Sequence, residues 1–396
     1  MAGPLSGVKI LDLTSVVMGP FATQILAELG ADVTKVEALD GDNMRDVGPM
    51  QSPAMGHLHM HLNRGKRCIA LNLKQPAGRD VILRMLPSID VLVYNVRPQA
   101  MARLGLSYED VRLVNDRLIY VGTYGYSQRG ERAGRAAYDD LIQGITGVPW
   151  LMSRDGAERP RYVPLNFADR VTGLHAVYAV TAALYHRERT GRGQSVEVPM
   201  FEAISHFVLG DHLAGLGYRP AKGRSGYERL RQRRPYRTAD GYLCVLVYNG
   251  KQWQRFFDAI GRPEMMDDPR FATHASRANH IGEIYDLLAK ILETRSSGDW
   301  MQLLEQADIP VAKMNAVDDL LSDSHLKESG FFREEEHPTE GGMIAMRTPT
   351  DWSESSPEAT TPAPQLGEHS LQVLRELGYD EDEITRMKEA GVFRAT

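Results

Sequence analysis

The chain has 396 residues, of which 42% are hydrophobic and 25% are charged. This balance excludes a disordered or collagen-like chain, and the length predicts about two domains with room for an enclosed site. The 46 Lys and Arg against 52 Asp and Glu give a net charge of -6. Neither nucleic acid nor an anionic membrane is therefore expected as a partner, and any anionic ligand must be held by local cations.

Cysteine content and hydropathy bear on the compartment. Cys68 and Cys244 are too few for a disulfide framework, and their neighbours predict two interior strands. No apolar run reaches the roughly 18 residues of a membrane span, and the first residues do not resemble a signal peptide. We expect a cytoplasmic protein.

The first 200 residues alternate between strand and helix patterns. A strand at 8–13, a helix at 21–29 and a strand at 32–37 form a β-α-β unit. The same alternation follows in strands at 69–73, 91–94 and 118–123, a helix at 78–86, a long helix at 169–189 and a strand at 195–198. The pattern predicts an α/β fold with a Rossmann-like, mostly parallel sheet.

A basic segment then separates this region from a smaller one. Residues 222–237 hold seven Lys and Arg with two glycines, which predicts a linker. Beyond it, a strand at 242–247 and helices at 253–260, 281–292 and 300–307 predict a smaller α+β domain. A Pro-, Ser- and Thr-rich return segment at 338–364 leads to a last helix near Glu368.

The turn after the first strand is a candidate nucleotide site, because a helix N-terminus offers free amides to phosphate. Glu37 ends the second strand, where a ribose-binding acid is expected. However, the turn has only Gly19, followed by Pro20, in place of three spaced glycines. A tight strand-to-helix turn explains it better than dinucleotide binding.

His57, His59 and His61 alternate along the chain and would share one face of a strand, as in some metal sites. No acidic ligand is adjacent, and a helix would scatter the three rings. We therefore favour a solvated or pocket-lining histidine cluster and expect no metal site.

Cations in the first domain form a further candidate site, since they could hold a multiply phosphorylated ligand. Ordinary surface charge is the alternative. The set lies mostly at the ends of predicted elements and comprises Arg45, Arg64, Lys66, Arg67, Lys74, Arg97 and Arg103.

Asp169 starts the long helix. Aspartate is among the best N-cap residues, so a cap alone explains the position. Free amides and the helix dipole also keep a carboxylate there ionised and accessible, so Asp169 can be a cap and a nucleophile.

Several segments, in order, resemble the class III CoA-transferases, the family of formyl-CoA transferase and carnitine CoA-transferase, with acyl-CoA racemases as relatives. They span nearly the whole chain. The segments are 4–13 (PLSGVKILDL), 29–37 (LGADVTKVE), 63–67 (NRGKR), 95–98 (NVRP), 138–144 (YDDLIQG), the Asp169 region, 190–194 (TGRGQ), 309–311 (IPV) and 362–369 (PAPQLGEH).

The resemblance implies a covalent mechanism in which Asp169 is the nucleophile and Asp139 has a supporting role. CoA passes from an acyl-CoA thioester to a free carboxylic acid through aspartyl-anhydride and aspartyl-CoA intermediates, and water must be excluded from them. CoA is a co-substrate, and no metal or redox cofactor is required. The implied CoA and substrate contacts are Val16, Val17, Met18, Arg45, Lys74, Asn95, Arg97, Arg103 and Tyr138.

The resemblance also implies an interlocked, ring-like homodimer. The large CoA-binding domain is then discontinuous, comprising 1–221 and 338–396, with 222–237 as linker and 238–337 as the small domain. Such an extensive contact would make the dimer obligate.

The chain departs from the family pattern at three places. The basic segment replaces a glycine-rich lid, so its role stays open between substrate, CoA phosphates, the other subunit and a solvated linker. Val17 replaces a polar residue, which argues against a formyl/oxalate pair; nearby arginines favour a short or dicarboxylic acyl group. Racemases have a histidine where this chain has Tyr138, so transfer is favoured over racemisation. A non-catalytic CoA-binding protein is the second alternative, and the presence of Asp169 argues against it.

Overall fold

A computed structural model of the chain describes residues 2–153, 159–223, 232–357 and 361–396. The chain forms two units. The larger comprises 2–153, Arg159–Val208 and Glu328–Thr396, and the smaller includes Leu209–Lys327. The sequence-based division instead places these boundaries at 222 and 338. Residues 224–231 of the predicted basic linker lie outside the described residues.

The strands are numbered in chain order. They are β1 Lys9–Leu13, β2 Asp32–Glu37, β3 Lys66–Leu71, β4 Val91–Tyr94, β5 Ile119–Tyr124, β6 Gln194–Pro199, β7 Tyr236–Arg237, β8 Tyr242–Val245, β9 Val311–Lys313, β10 Phe332–His337, β11 Gly341–Met346 and β12 Phe393–Arg394.

The helices are numbered likewise. They are α1 Met18–Glu28, α2 His57–Leu62, α3 Pro76–Met85, α4 Pro98–Arg103, α5 Tyr108–Val111, α6 Asp139–Ile145, α7 Val148–Met152, α8 Phe167–Thr190, α9 Met200–His212, α10 Gly250–Ala259, α11 His274–Asn279, α12 Ile281–Leu292, α13 Ser297–Gln306, α14 Ser324–Glu328, α15 Ser370–Glu376 and α16 Glu381–Glu389.

A seven-stranded sheet organises the larger unit, in the order β12-β3-β2-β1-β4-β5-β6. All neighbouring pairs are parallel except β12 with β3. Helices cover both faces because alternate strand residues point to opposite sides. Ile10 belongs to the core formed with α1 and α8, whereas Leu11 belongs to the core formed with α3. The predicted α/β, Rossmann-like fold is confirmed.

The strand order places a crevice at one point of the sheet. The chain runs outward through β2 and β3 on one side of β1, and through β4, β5 and β6 on the other side. In such sheets, ligands bind beyond the carboxyl ends of the two strands where the order reverses. Here those strands are β1 and β4, so Ser15 and Asn95, which follow them, mark the expected place.

The smaller unit has an antiparallel sheet, β7-β8-β9, and a core of large aromatic side chains. Trp253, Phe256, Phe257 and Trp300 are buried in this core. Cys244 lies on β8 as predicted, but its side chain is exposed, so the prediction of an interior position was wrong. Cys68 on β3 is buried.

The return segment contains more order than its composition indicates. β10 and β11 pair as an antiparallel hairpin in the larger unit, with Phe332 opposite Met346. The segment 338–364 is therefore not entirely a loop, although its composition is rich in Pro, Ser and Thr. The last helical region also starts at Ser370 and holds a second helix, α16, that we did not predict.

Hydropathy along the helices bears on membrane association. Among the helices in the described part of the chain, none is both long and apolar enough to cross a membrane.

Candidate active site at the carboxyl edge of the sheet

A cleft of about 820 Å³ lies in the larger unit, at the point of the sheet where the strand order reverses. It brings together residues from the ends of β1 and β4, the loop after β5, and the first turns of α6 and α8. Its lining includes Ser15, Val16, Met18, Asn95, Arg97, Arg103, Arg135, Tyr138, Asp139 and Asp169. Six of the nine sequence-predicted contacts and both predicted acids line this cleft.

Asp169 is 9% exposed and lies in the first turn of α8. The helix begins at Phe167 with Asn166 at the N-cap, so the expectation that Asp169 is the cap was wrong. Among the described residues, no donor hydrogen-bonds its carboxylate, whereas its backbone N–H donates to Asp139. An unpartnered carboxylate at the edge of a cleft is free to attack a ligand.

The environment of Asp169 makes its carboxyl group hold its proton unusually well. Burial raises the pKa of Asp169 from the ordinary 3.8 to about 7, and the negative charge of Asp139 adds to the rise. The neighbouring Arg170 acts in the opposite direction, but its guanidinium lies over the ring of Phe21, 4.7 Å from the centroid. A less solvated, more basic carboxylate is a stronger nucleophile once it is ionised.

Asp139 holds the start of α8 in place. Its Oδ1 accepts a hydrogen bond of 2.9 Å from the backbone N–H of Asp169, and its Oδ2 accepts one of 2.6 Å from Gln143 Nε2. Gln143 Oε1 in turn accepts from the backbone N–H of Val163, at 2.9 Å. The two acids therefore share one hydrogen-bonded junction between α6 and α8.

Gln143 was missed by sequence reasoning, although a signal was present. It lies four residues after Asp139 on α6, the spacing at which two side chains meet on a helix.

Three exposed cations surround the cleft. Arg97 precedes α4, Arg103 is its last residue, and Arg135 lies in the loop before Tyr138. Within the described residues, none of these three side chains has a hydrogen bond or an ion pair, so their charge is available to a ligand. Arg135 was missed, because its run of Gly, Ala and Arg has no distinctive spacing.

Lys74 lines a neighbouring recess of about 970 Å³, beyond the carboxyl ends of β2 and β3. Arg103 lines both this recess and the cleft. A ligand that is too long for one cavity can therefore extend from one to the other past Arg103.

Arg45 does not join these cations. Its guanidinium is 1% exposed and binds Glu37 through two hydrogen bonds of 2.7 Å. A buried bidentate pair of this kind leaves no donor fork for a phosphate. Arg45 is therefore not assigned to CoA, and the same pairing removes Glu37 as a ribose-binding acid.

Arg45 belongs to a set of six charged side chains that we call the buried ion cluster. Each acid in the set pairs with a base, and every one of the six side chains is at most 2% exposed. Oppositely charged neighbours and hydrogen bonds outweigh burial and lower the pKa of Asp12, whereas burial lowers the pKa of Lys66 to about 8. The members are Asp12, Lys35, Glu37, Asp42, Arg45 and Lys66.

The turn between β1 and α1 forms one wall of the cleft. Asn95 clamps it, since its Oδ1 accepts from Ser15 N–H at 3.0 Å and its Nδ2 donates to Ser15 O at 2.7 Å. Val16 and Met18 line the cleft. Val17 is 2% exposed and points elsewhere, so its predicted contact with the ligand is not supported.

The three histidines lie on a short helix, α2, and do not share one face. His59 is buried, and its Nε2 lies 3.1 Å from Pro364 O. Burial lowers the pKa of His59 to about 3 and that of His61 to about 4. His57 and His61 line a separate cavity of about 460 Å³ with several methionines.

Comparisons with known proteins identify the family of the chain. The profile of CoA-transferase family III matches residues 5–370. Succinate–glutarate CoA-transferase of Agrobacterium fabrum is 31% identical over 94% of this chain and 96% of that protein. Succinyl-CoA:glutarate CoA-transferase of Homo sapiens is 30% identical over 98% and 90%.

Other relatives extend the range of named reactions and the structural likeness. Formyl-CoA:oxalate CoA-transferase of Escherichia coli is 31% identical over 98% of this chain and 99% of that protein. A crystal structure of a CAIB/BAIF family protein from Brucella suis superposes with a TM-score of 0.80 at 29% identity, covering 95% of this chain and all of the other. The chain therefore belongs to CoA-transferase family III.

Proposed function

We propose that the protein moves CoA from an acyl-CoA to a free carboxylic acid through covalent intermediates on Asp169. Family membership supports CoA transfer in general. The observation that carries the covalent route is the carboxylate of Asp169. It is nearly buried, has no hydrogen-bond donor in the described part of the chain, and faces the cleft at the reversal point of the sheet.

The first half of the reaction loads the enzyme. The Asp169 carboxylate attacks the thioester carbonyl, the C–S bond breaks, and CoA leaves as a thiolate, which gives an aspartyl-acyl anhydride. The thiolate then attacks the Asp169 carbonyl, and the donor acid leaves as a carboxylate. The product is an Asp169-CoA thioester.

The second half reverses these steps with the acceptor. The acceptor carboxylate attacks the Asp169-CoA thioester and releases the thiolate, and the thiolate attacks the acceptor carbonyl of the new anhydride. Acceptor-CoA forms and Asp169 returns to its starting state. These steps use only carboxylates and a thiolate as nucleophiles, so we propose that no metal or redox cofactor takes part and that CoA is a co-substrate.

We assign the free cations to CoA. Its pyrophosphate and 3'-phosphate carry several negative charges. Arg97, Arg103 and Arg135 line the cleft with no ion-pair partner among the residues that the structure describes, and Lys74 lies in the adjoining recess. Guanidinium groups suit phosphate because their donors form a planar fork. Val16, Met18, Asn95 and Tyr138 provide the walls against which the rest of CoA and the acyl group lie.

The proposal is tested by looking for a covalent adduct between CoA and the protein. The protein is incubated with succinyl-CoA and its intact mass is measured; we expect an increase equal to CoA less one water, located at Asp169 by peptide mapping. Asp169→Ala forms no adduct and shows no transfer. Asp140→Ala is the matched control, because Asp140 is exposed and does not line the cleft, and it forms the adduct normally.

Three outcomes contradict the proposal. Transfer that survives in Asp169→Ala removes the covalent route. Solvent deuterium that appears at the α-carbon of the acyl group, with no need for a second acid, supports racemisation instead. Binding of CoA with neither adduct nor exchange supports a non-catalytic CoA-binding protein.

We further propose a short or dicarboxylic acyl group. Two relatives are named for succinate and glutarate. Acceptor acids are compared at equal concentration with succinyl-CoA as donor. Glutarate is expected to turn over faster than a long monocarboxylic acid, and faster than oxalate; the opposite ranking contradicts the assignment.

We also propose a homodimer. Leu174, Tyr178 and Tyr185 on α8 and Phe207 on α9 are each more than half exposed, and apolar side chains of this size favour a protein partner over water. Light scattering is expected to give twice the chain mass at micromolar concentration, and a monomer there contradicts the proposal.

A further inference from the structure

Val16 has an unusual backbone conformation. Its φ angle is +70°, in the left-handed region that β-branched residues rarely adopt. The position lies in the turn between β1 and α1, three residues after the strand ends, on the wall of the cleft that holds Asp169. A valine stays in such a conformation only when its surroundings hold it there.

The buried ion cluster provides this hold. Both carboxylate oxygens of Asp42 lie 3.2 Å from the backbone N of Val16 and accept its N–H. Lys35 lies between the two sides of the turn, because its Nζ is 3.1 Å from Asp42 Oδ2 and donates to Thr14 O at 2.8 Å. Neither Asp42 nor Lys35 lines the cleft.

The turn also sets the start of α1, and α1 meets the helix of the reactive acid. Gly173, one turn after Asp169, is so close to α1 that an added Cβ would lie 3.0 Å from Met18 O and 2.9 Å from the ring of Phe21. A shift of the turn is therefore transmitted to both walls of the cleft, since packed elements do not deform smoothly.

We infer that Asp42, held by Lys35, is a positioning residue for CoA transfer: it locks Val16 in its strained conformation and so fixes the wall of the cleft that faces Asp169. This inference rests on the proposed covalent function. Its consequence is kinetic, because a wall displaced by about 1 Å can slow a reaction by up to about 100-fold without preventing binding.

The experiment measures the rate of CoA adduct formation at saturating succinyl-CoA, the concentration that gives half that rate, and the melting temperature. In Asp42→Asn, one of the two acceptor oxygens becomes an NH2 donor, which then faces either the Lys35 ammonium or the backbone N–H of Met44. We expect the saturated rate to fall about 10- to 100-fold, with little change in the half-saturating concentration.

Glu28→Gln is the matched control. Glu28 is the last residue of α1, at the end away from the turn, and forms a buried ion pair with Arg64 at 2.8 Å. It is expected to lower the melting temperature, as Asp42→Asn does, but to leave the saturated rate within about twofold of wild type. If Asp42→Asn is no slower than Glu28→Gln, the positioning role is refuted.

A second change separates positioning from stability. Glycine adopts a φ of +70° without strain. The double variant Asp42→Asn, Val16→Gly should therefore form the adduct at least threefold faster than Asp42→Asn, while its melting temperature stays low. No recovery contradicts the inference. If Asp42→Asn does not fold, the single variant Val16→Gly tests the inference. Relief of backbone strain predicts a melting temperature equal to or higher than that of the wild type, and a clear decrease refutes the strain.

The wild-type chain distinguishes the two proposals. If it forms no adduct at all, the covalent function fails. If it forms the adduct and Asp42→Asn matches the control, only the positioning role fails.

Discussion

The cleft and the buried ion cluster lie side by side in the larger unit, and both are rich in arginine, lysine and aspartate. In the cluster, each charge has an opposite partner and no access to water. In the cleft, Arg97, Arg103 and Arg135 are exposed and unpaired within the described residues, and the carboxylate of Asp169 has no donor. The difference shows that pairing, and not residue type, distinguishes charged side chains that stabilise the fold from those that are available to a ligand.

The same comparison divides the cations predicted from the sequence. Arg64, Lys66 and Arg67 pair with Glu28, Asp12 and the pair Asp32 and Glu376, respectively. Lys74, Arg97 and Arg103 line cavities at the carboxyl edge of the sheet. Only this second group can bind CoA without breaking an existing ion pair.

The largest effect is expected from breaking the cluster. Glu37→Gln leaves the buried Arg45 without its charged partner, so the free energy of unfolding in urea should fall by about 3–5 kcal/mol. Glu109→Gln, which breaks the exposed pair with Arg112, should cost less than about 0.5 kcal/mol. If Arg45→Met weakens CoA binding and leaves stability unchanged, the division between cluster and cleft is wrong.

The second effect concerns the stability cost of Asp169. Its folded pKa of about 7 lies above the ordinary 3.8, so the unfolded chain loses its proton first and stability falls as the pH rises from about 4 to about 7. Asp169→Asn removes this loss and should stabilise the protein by about 2–4 kcal/mol at pH 8 but little at pH 4.

Urea unfolding at the two pH values checks this, with exposed Asp140→Asn as the control. A stabilisation that is equal at pH 4 and pH 8 shows that the charge of Asp169 is not its origin.

The third effect sharpens the role of the free cations. Arg97→Ala and Arg103→Ala should each weaken CoA binding about tenfold, roughly 1.4 kcal/mol, and added salt should reduce the difference from wild type. Calorimetric titration with CoA measures both. Arg112→Ala, an exposed arginine outside both cavities, is the control, and an equal loss there indicates only a general charge effect.

The smallest effect is a displacement of a pH profile. A carboxylate nucleophile must be ionised, so the rate of adduct formation should rise with pH to a midpoint near 7. Asp139→Asn removes one of the two causes of the raised pKa and should lower the midpoint by roughly one unit, while burial keeps it above the ordinary value. An unchanged midpoint shows that burial alone raises it.

The sequence predicts the main architecture because hydrophobic periodicity is a local signal. The β-α-β opening, the strand Val91–Tyr94 and the helix Ile281–Leu292 match the predicted bounds within a few residues. The hairpin of β10 and β11 was missed although its two strands pair with each other over a short sequence separation. Three consecutive glutamates in β10 and two glycines at the start of β11 are residue types that strands disfavour, so the composition resembles a loop.

Residues of the candidate site were predictable where a family pattern includes them. They were not predictable where the role of a side chain depends on a partner that is distant in the sequence. Asp169, Asp139 and Arg97 meet in one cleft as expected. Arg45 was misassigned because its partner, Glu37, is defined by the fold, and no local pattern distinguishes a paired arginine from a free one. Asp42 was missed for the same reason: its contact with Val16 joins residues that no periodicity relates.

The antiparallel strand β12 has a consequence for the synthesis of the protein. Phe393 pairs with Leu71, and Arg394 with Ala70, so one edge of the central sheet is completed by residues made long after β3. Until they leave the ribosome, β3 presents unpaired backbone groups and a hydrophobic strand to other chains. Nascent or truncated forms that lack residues 393–394 are therefore expected to depend on chaperones more than the full chain does.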